Sequence, residues 1–107
     1  MWIKGRQGTG YDKLPIIVTR FFDLYLLRFP QGCHVPPHVD GVDAGFAHYR
    51  MNIVLKKAKD GGEFVTNGSI INWSRLKLFR PDICEHSVTR VNMGTRYLLS
   101  IGWLRKI

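Results

Sequence analysis

The chain reads as an all-β domain of the sandwich or barrel type. Three observations lead there. No segment carries ten residues of helical periodicity, and the apolar residues fall into short runs rich in β-branched and aromatic types. Gly, Pro and Asn turns break those runs at intervals of about 8–12 residues. The 107 residues, 45% hydrophobic and 12% aromatic, support one domain with a modest core, because so short a chain buries only about 60–68% of its unfolded surface.

The elements follow in order. LPIIVT (14–19) and FDLYLLRF (22–29) are the first two strands, and PQG turns the chain into CHVPPHVD (33–40). AHYRMNIVLKK (47–57) alternates, with Tyr49, Met51, Ile53 and Leu55 on one face and Arg50, Asn52, Val54 and Lys56 on the other. In a one-sided sheet Arg50 and Asn52 face water; in a barrel with a polar cavity they line it, and the pattern leaves both open. DGG (60–62) turns into the short strand EFV, NGS (67–69) turns into IINW, and RLKLF (75–79) ends at a Pro-Asp pair. EHSVTRV (85–91) and TRYLLSIGW (95–103) flank NMG, which reads as a hairpin turn and makes them antiparallel neighbours. There is no internal repeat and no low-complexity linker.

Sixteen Lys and Arg against eight Asp and Glu give a net charge of +8. Such a balance admits a nucleic-acid partner, but the charges are scattered, with KKAK (56–59) and the terminal RKI as the only clusters. A soluble surface with a few arginines facing an anionic small molecule accounts for it equally. No apolar run approaches the roughly 20 residues that span a bilayer. MWIKGRQGTGYDK at the start lacks the apolar core of a secretory leader. The expectation is a cytoplasmic protein without membrane contact. Cys33 and Cys84 form no C-x-x-C pair and are expected reduced. Cys33-His34 and Cys84-Glu85-His86 match no common zinc spacing.

HVPPHVDG (34–41) carries the chemistry. On a strand, residues i and i+2 point the same way about 6–7 Å apart, so His38 and Asp40 can converge on one ion. Two histidines and a carboxylate on one face of an octahedron suit non-heme Fe(II) and leave three positions open. The second histidine must come from elsewhere in the chain: His34, His48 and His86 are the candidates, and His86, directly before the final hairpin, is the best placed. With that hairpin, Arg96 falls roughly 7–13 Å along the barrel from His86. A guanidinium at that reach can hold the far carboxylate of a metal-chelating diacid bidentately.

With these motifs in order, the sequence resembles the Fe(II)- and 2-oxoglutarate-dependent oxygenases, in particular their prolyl-hydroxylase-like branch. LLRFPQGCHVPPHVDG is similar to that branch's strand, turn and His-x-Asp. MNIVLKKAKDGGEFV is similar to its long strand, charged loop, Gly-Gly and short strand, and RLKLFRPDICEHSVTRVNMGTRYLLSIGW to its closing segment. The match covers roughly residues 22 to 103. The resemblance implies a double-stranded β-helix, a jelly-roll barrel with few or no helices, over a single minimal domain (1–20 an N-terminal cover segment, 21–107 the barrel). It implies His38, Asp40 and His86 as iron ligands and Arg96 as the anchor of 2-oxoglutarate. The activity implied is hydroxylation of a C–H bond, with 2-oxoglutarate and dioxygen converted to succinate and carbon dioxide.

Two departures stand out. Phe29 and Val54 occupy positions where relatives carry cosubstrate-binding tyrosines. Asn52, Tyr25 and Ser100, on shared strand faces, are the candidates to compensate. Typical members also have N-terminal helices that this chain lacks, so the apolar face around Tyr49, Met51, Ile53, Tyr97, Leu99 and Trp103 needs cover. Either the segment with Trp2, Tyr11, Ile16 and Ile17 or a second copy of the chain supplies it, self-association being slightly favoured. Arg50, Arg80, His34, His48 and Trp73 are expected near the cavity mouth, where they suit a peptide or amino-acid substrate better than a nucleic acid. Two alternatives remain: a cupin-like metal enzyme without 2-oxoglutarate, which usually carries a His-x-His pair absent here, and a non-catalytic basic β-barrel that binds nucleic acid.

Overall fold

Strands alone carry the described residues of the computed structural model, which are 1–5 and 10–107. They are β1 (Ile3–Lys4), β2 (Asp12–Val18), β3 (Phe22–Phe29), β4 (Val35–His38), β5 (Phe46–Lys56) and β6 (Asp60–Gly61). β7 (Phe64–Thr66), β8 (Ile71–Asn72), β9 (Leu76–Phe79), β10 (His86–Val88), β11 (Val91–Met93) and β12 (Arg96–Lys106) follow. Among the described residues no helix is long and apolar enough to cross a membrane.

A seven-stranded sheet, in the order β1-β2-β3-β12-β5-β9-β8, faces a three-stranded sheet, β4-β10-β7, and β11 pairs with β6 beside them. The long strand β12 is the spine. Arg96, Leu98, Ser100 and Gly102 are buried on its inner side, while Tyr97, Leu99, Ile101 and Trp103 are only half-buried on its outer side. Registers carry that alternation across the sheet: Ser100 lies opposite Tyr25 on β3 and Asn52 on β5, and Gly102 lies opposite Asp23 and Arg50. The polar face of 47–57 therefore lines the interior, which resolves the choice that the sequence left open. The buried cluster of Phe29, Cys33, Val35, Val88, Val91 and Leu98 closes one end of the barrel. Burial pushes the Cys33 thiol up to about 11, so it is an inert core group.

The structure corrects one expectation about the chain's end. The segments around His86 and Arg96 are not hairpin neighbours: β10 pairs with β4 and β7, whereas β12 pairs with β3 and β5. Val91–Met93 leaves β10 to pair with β6, and Gly94, at φ +85°, then turns the chain across to the other sheet. A Cβ there would sit 3.0 Å from the Lys59 amide nitrogen. NMG is thus a crossover turn, and the two residues face each other across the barrel.

The N-terminal segment does not lie over the outer apolar face. β2 extends the large sheet edgewise by pairing with β3, and β1 pairs with β2. Ile16 and Ile17 remain exposed, Trp2 packs under the Arg28 guanidinium, and Tyr11 stacks on Phe29 at 4.9 Å. Leu24, Leu26, Met51, Ile53, Leu76, Leu78, Leu99 and Ile101 on the outer side of the sheet all stay half-exposed.

Candidate metal centre

His38 ends β4 and His86 begins β10, and the two residues are register partners across the small sheet. The prolines at 36 and 37 hold β4 extended up to His38, in keeping with their restricted φ. Asp40 lies just past the strand, where its amide donates to the Pro81 carbonyl at 2.8 Å. The two imidazole rings are 4.2 Å apart. One ligand atom from each of His38, Asp40 and His86 lies within 4.8 Å of the others.

The hydrogen bonds of the imidazoles fix their tautomers. His38 Nδ1 is 2.8 Å from the Pro36 carbonyl, and His86 Nδ1 is 2.9 Å from the Cys84 carbonyl. A carbonyl can only accept, so both Nδ1 atoms carry a proton and donate it. Each ring then turns Nε2 toward Asp40, at 3.4 Å from Oδ1 for His38 and 3.5 Å from Oδ2 for His86. Nε2 lone pairs facing a carboxylate would repel it, and either a proton on Nε2 or a cation between the three groups removes that repulsion. A divalent cation meets that need, and the backbone carbonyls are the outer partners that orient metal-binding imidazoles. Two nitrogens and one carboxylate, with free space on the open side, fit a ferrous ion.

His86 is buried against the Phe79 ring (5.1 Å) and the Phe64 ring (6.2 Å). Those aromatics shield one side of the centre from water. The other side opens on a cavity of about 300 Å³ whose wall includes Arg96, Asn52, Tyr25 and Ser100 with the three donors. Arg96 is 5% exposed, and its Nη1 has no hydrogen-bond partner among the described residues; the Asn52 Oδ1 is likewise buried and unpartnered among them. Burial pushes the Arg96 pKa below its ordinary value, while the Glu63 charge works the other way. A guanidinium stays protonated under any such shift. A buried cation without a counter-ion is costly, and an anionic ligand in this cavity would remove that cost.

Of the other expected residues, Arg50 and His48 line the cavity, whereas His34, Arg80 and Trp73 do not. Arg80 is held by Asp82 at 2.6 Å, and Trp73 is 63% exposed at the β8–β9 turn. His48 stays outside the donor group; burial first, then the Arg50 charge, lowers its pKa. Arg50 Nη2 meets Asp23 at 2.9 and 3.0 Å, and Nη1 donates to Ser100 at 2.7 Å. The guanidinium lies over Gly102, where a Cβ would come within 2.1 Å of Nη2. Sequence reasoning missed this seat, as it missed Tyr11 and Lys13 in the cavity wall. The one available signal was a glycine inside an otherwise bulky strand, which marks a close approach.

No protein-family model matches the chain, and no curated protein matches it. Solved structures do. KdgF from Halomonas sp. superposes with a TM-score of 0.65 at 15% identity, over 99% of this chain and 87% of that one. The Schizosaccharomyces pombe Cnp3 cupin domain gives 0.63 at 10% identity, over 87% of this chain and 64% of that one. A cupin 2 conserved barrel domain protein from Rhodopseudomonas palustris gives 0.59 at 12% identity, over 96% and 69%. The chain thus has the double-stranded β-helix fold of the cupins.

Proposed function

We propose that the chain is an Fe(II)- and 2-oxoglutarate-dependent oxygenase, a C–H hydroxylase. The observation that carries this reading is the buried Arg96 guanidinium with an unpartnered Nη1, in the wall of the cavity that holds the His38, Asp40 and His86 donors. Bound there, ferrous ion and 2-oxoglutarate supply the oxidising chemistry that takes dioxygen and a substrate C–H bond to alcohol, succinate and carbon dioxide.

The chain's own residues do the holding. His38, Asp40 and His86 grip the metal on one face and leave the cavity side open. Arg96 takes the distal carboxylate with two parallel hydrogen bonds. Asn52, turned over, offers its amide NH₂ to the same group, and Ser100 and Tyr25 close the wall beside it. Tyr11, stacked on Phe29, brings a phenol next to the position where relatives carry a tyrosine.

A second reading, a cupin-like metal enzyme without 2-oxoglutarate, is favoured by the fold likeness to cupins. Anaerobic titration separates the two. The oxygenase is expected to give a weak visible charge-transfer band when Fe(II) and 2-oxoglutarate are both added. The cupin-like enzyme would bind metal and ignore the diacid. His86→Ala is expected to weaken metal binding by on the order of 100-fold or more, since lost outer partners alone cost 10–100-fold, while His48→Ala keeps the band. Metal uptake with no response to 2-oxoglutarate, in spectrum or in succinate formation, would overturn the oxygenase reading.

A further inference from the structure

Among the described residues, the ionised side chains in the cavity wall are Lys13, Arg50, Arg96 and Asp40. Arg50 is neutralised by Asp23. With a dianionic cosubstrate spanning the metal and Arg96, one cation of the wall is left without a counter-charge among the described residues. That one is Lys13. Its position is dictated by the sheet: on β2, Asp12 faces outward with Arg28, so Lys13, opposite Leu27, faces in. Its ammonium stands 5.1 Å from the centre of the Tyr25 ring and has no carboxylate partner among the described residues. A ring face stabilises a cation by only about 0.5–1 kcal/mol at an accessible site and does not replace a counter-charge.

We propose that Lys13, backed by Tyr25, receives a single negative charge on the prime substrate, which is therefore a small carboxylate-bearing monoanion. This rests on the oxygenase reading, because that reading assigns the other cavity cations. Lys13 and Arg96 lie two strands and two residues apart, about 12 Å between backbones at ordinary sheet spacings. The two can therefore serve different carboxylates.

The test uses the full chain with Fe(II) and saturating 2-oxoglutarate under anaerobic conditions. The probes are N-acetylglycine, N-acetylglycinamide and free glycine, followed by calorimetry and by the visible band. N-acetylglycine is expected to bind at least tenfold tighter than its amide. Lys13→Gln is expected to erase that preference and leave 2-oxoglutarate affinity within about twofold, whereas Arg96→Leu removes cosubstrate binding. Binding of glycine as well as N-acetylglycine would point to free amino acids; binding of N-acetylglycine alone would point to a peptide C-terminus. Equal binding of acid and amide, a preference that survives Lys13→Gln, or a tenfold loss of 2-oxoglutarate affinity in Lys13→Gln would each overturn the proposal. Failure of the oxygenase reading is distinct: the wild type then takes up no 2-oxoglutarate. The probes are in that case compared on the Fe(II)-loaded Arg96→Leu chain, where loss of the acid preference on adding Lys13→Gln supports the Lys13 site and its persistence overturns it.

A different observation carries a second inference. The outer face of the large sheet presents Leu26, Leu99, Ile101, Met51, Ile53 and Leu78, half-exposed and apolar, with the charged row of Asp12, Arg28 and Lys56 bordering them beside Tyr97. From β2 to β8 the face covers five strand spacings, about 24 Å, and from Tyr97 to Trp103 about 20 Å. Side chains included, that is on the order of 500–700 Å², close to the roughly 800 Å² per partner of a stable interface. We infer that a second copy of this chain covers it, face to face about a two-fold axis. Light scattering at 100 μM is expected to give twice the 12.3 kDa chain mass, and Leu99→Lys to give the monomer with an unchanged circular dichroism spectrum. Ile101→Glu serves if Leu99→Lys misfolds. A wild-type monomer, or a dimer indifferent to the substitution that folds, would overturn it.

Discussion

The two sheets of the barrel divide the labour unequally. The large sheet is long-stranded and regular: β5 and β12 share ten register pairs, and one break near Tyr97 is its only irregularity along that ladder. The small sheet is built from strands of three or four residues, with a register shift between His86 and Val88. Yet the small sheet carries two of the three candidate metal donors, and the large one carries the cations. Regular strands set polar groups at fixed intervals, as Arg96, Ser100 and Arg50 show. Short strands next to loops let two imidazoles tilt toward one point while carbonyls two residues upstream pin their Nδ1 atoms.

Phe79 is where the two sheets meet, and removing it is the strongest way to test whether they act as one unit. It belongs to β9 of the large sheet, is 1% exposed, and packs on Phe64 (4.8 Å) and on His86 (5.1 Å) of the small sheet. Phe79→Ala is expected to cost about 3–5 kcal/mol, the usual range for a buried aromatic, measured by denaturant unfolding. If packing from the large sheet also sets the His86 ring, metal affinity of the folded protein falls at least tenfold. Unchanged affinity would show that the Cys84 carbonyl alone orients it.

The same contrast explains what could be read from the sequence. Strands long enough to alternate revealed their faces: in 47–54 and 95–103 the inner and outer sets are those found, because one side of the large sheet bears a cavity and the other bears apolar side chains. The register break at Tyr97 instead sets Lys56, expected on the inner face, opposite the outward Tyr97. The convergence of His38, Asp40 and His86 was legible, since residues i and i+2 of a strand point the same way and His86 was the best placed third donor. Their supports were not. The pinning carbonyls have no side-chain signature, and the pairing of β10 with β4 joins residues 48 apart in the chain. The supposed hairpin at NMG failed because a turn sequence fixes a reversal, not the sheet that the next strand enters. Trp73 and Arg80, expected at the cavity mouth, lie on or beside the short strands β8 and β9, where a few residues of alternation cannot fix direction.

Gly102→Ala attacks the large sheet alone. The added methyl would fall 2.1 Å from Arg50 Nη2 and 2.6 Å from its Cζ, so the guanidinium must leave Asp23 and Ser100. A side-chain end can move, and the backbone of β12 can stay. The expected loss is about 1–3 kcal/mol, as for other insertions into packed space, with metal affinity unchanged. In an Arg50→Ala background the same substitution is expected to cost little, and thermal unfolding of the four proteins closes the cycle. A full cost without Arg50 would mean that the strand itself, not the arginine, requires glycine.

The smallest effect belongs to the sheet edge, where Asp12 joins β2 to β1 and β3. Its carboxyl is held below the usual carboxylate range by the Lys4 hydrogen bond at 2.9 Å, which outweighs burial, with the Arg28 hydrogen bond at 3.0 Å adding to it. A carboxyl with a lowered folded-state pKa stabilises the protein above its unfolded value, near 3.9. That contribution fades as pH falls through the folded value. Lys4 is largely exposed and screened by water, so Asp12→Asn is expected to cost only about 1 kcal/mol at pH 7. The difference from wild type should hold steady between pH 5 and 7, as about expected for a carboxylate ionised in both states, and shrink below about pH 4. Urea unfolding of both proteins across that interval reads it directly. A gap as large at pH 3 as at pH 7 would assign the cost to lost packing, and the edge would then resemble the barrel's interior more than its surface.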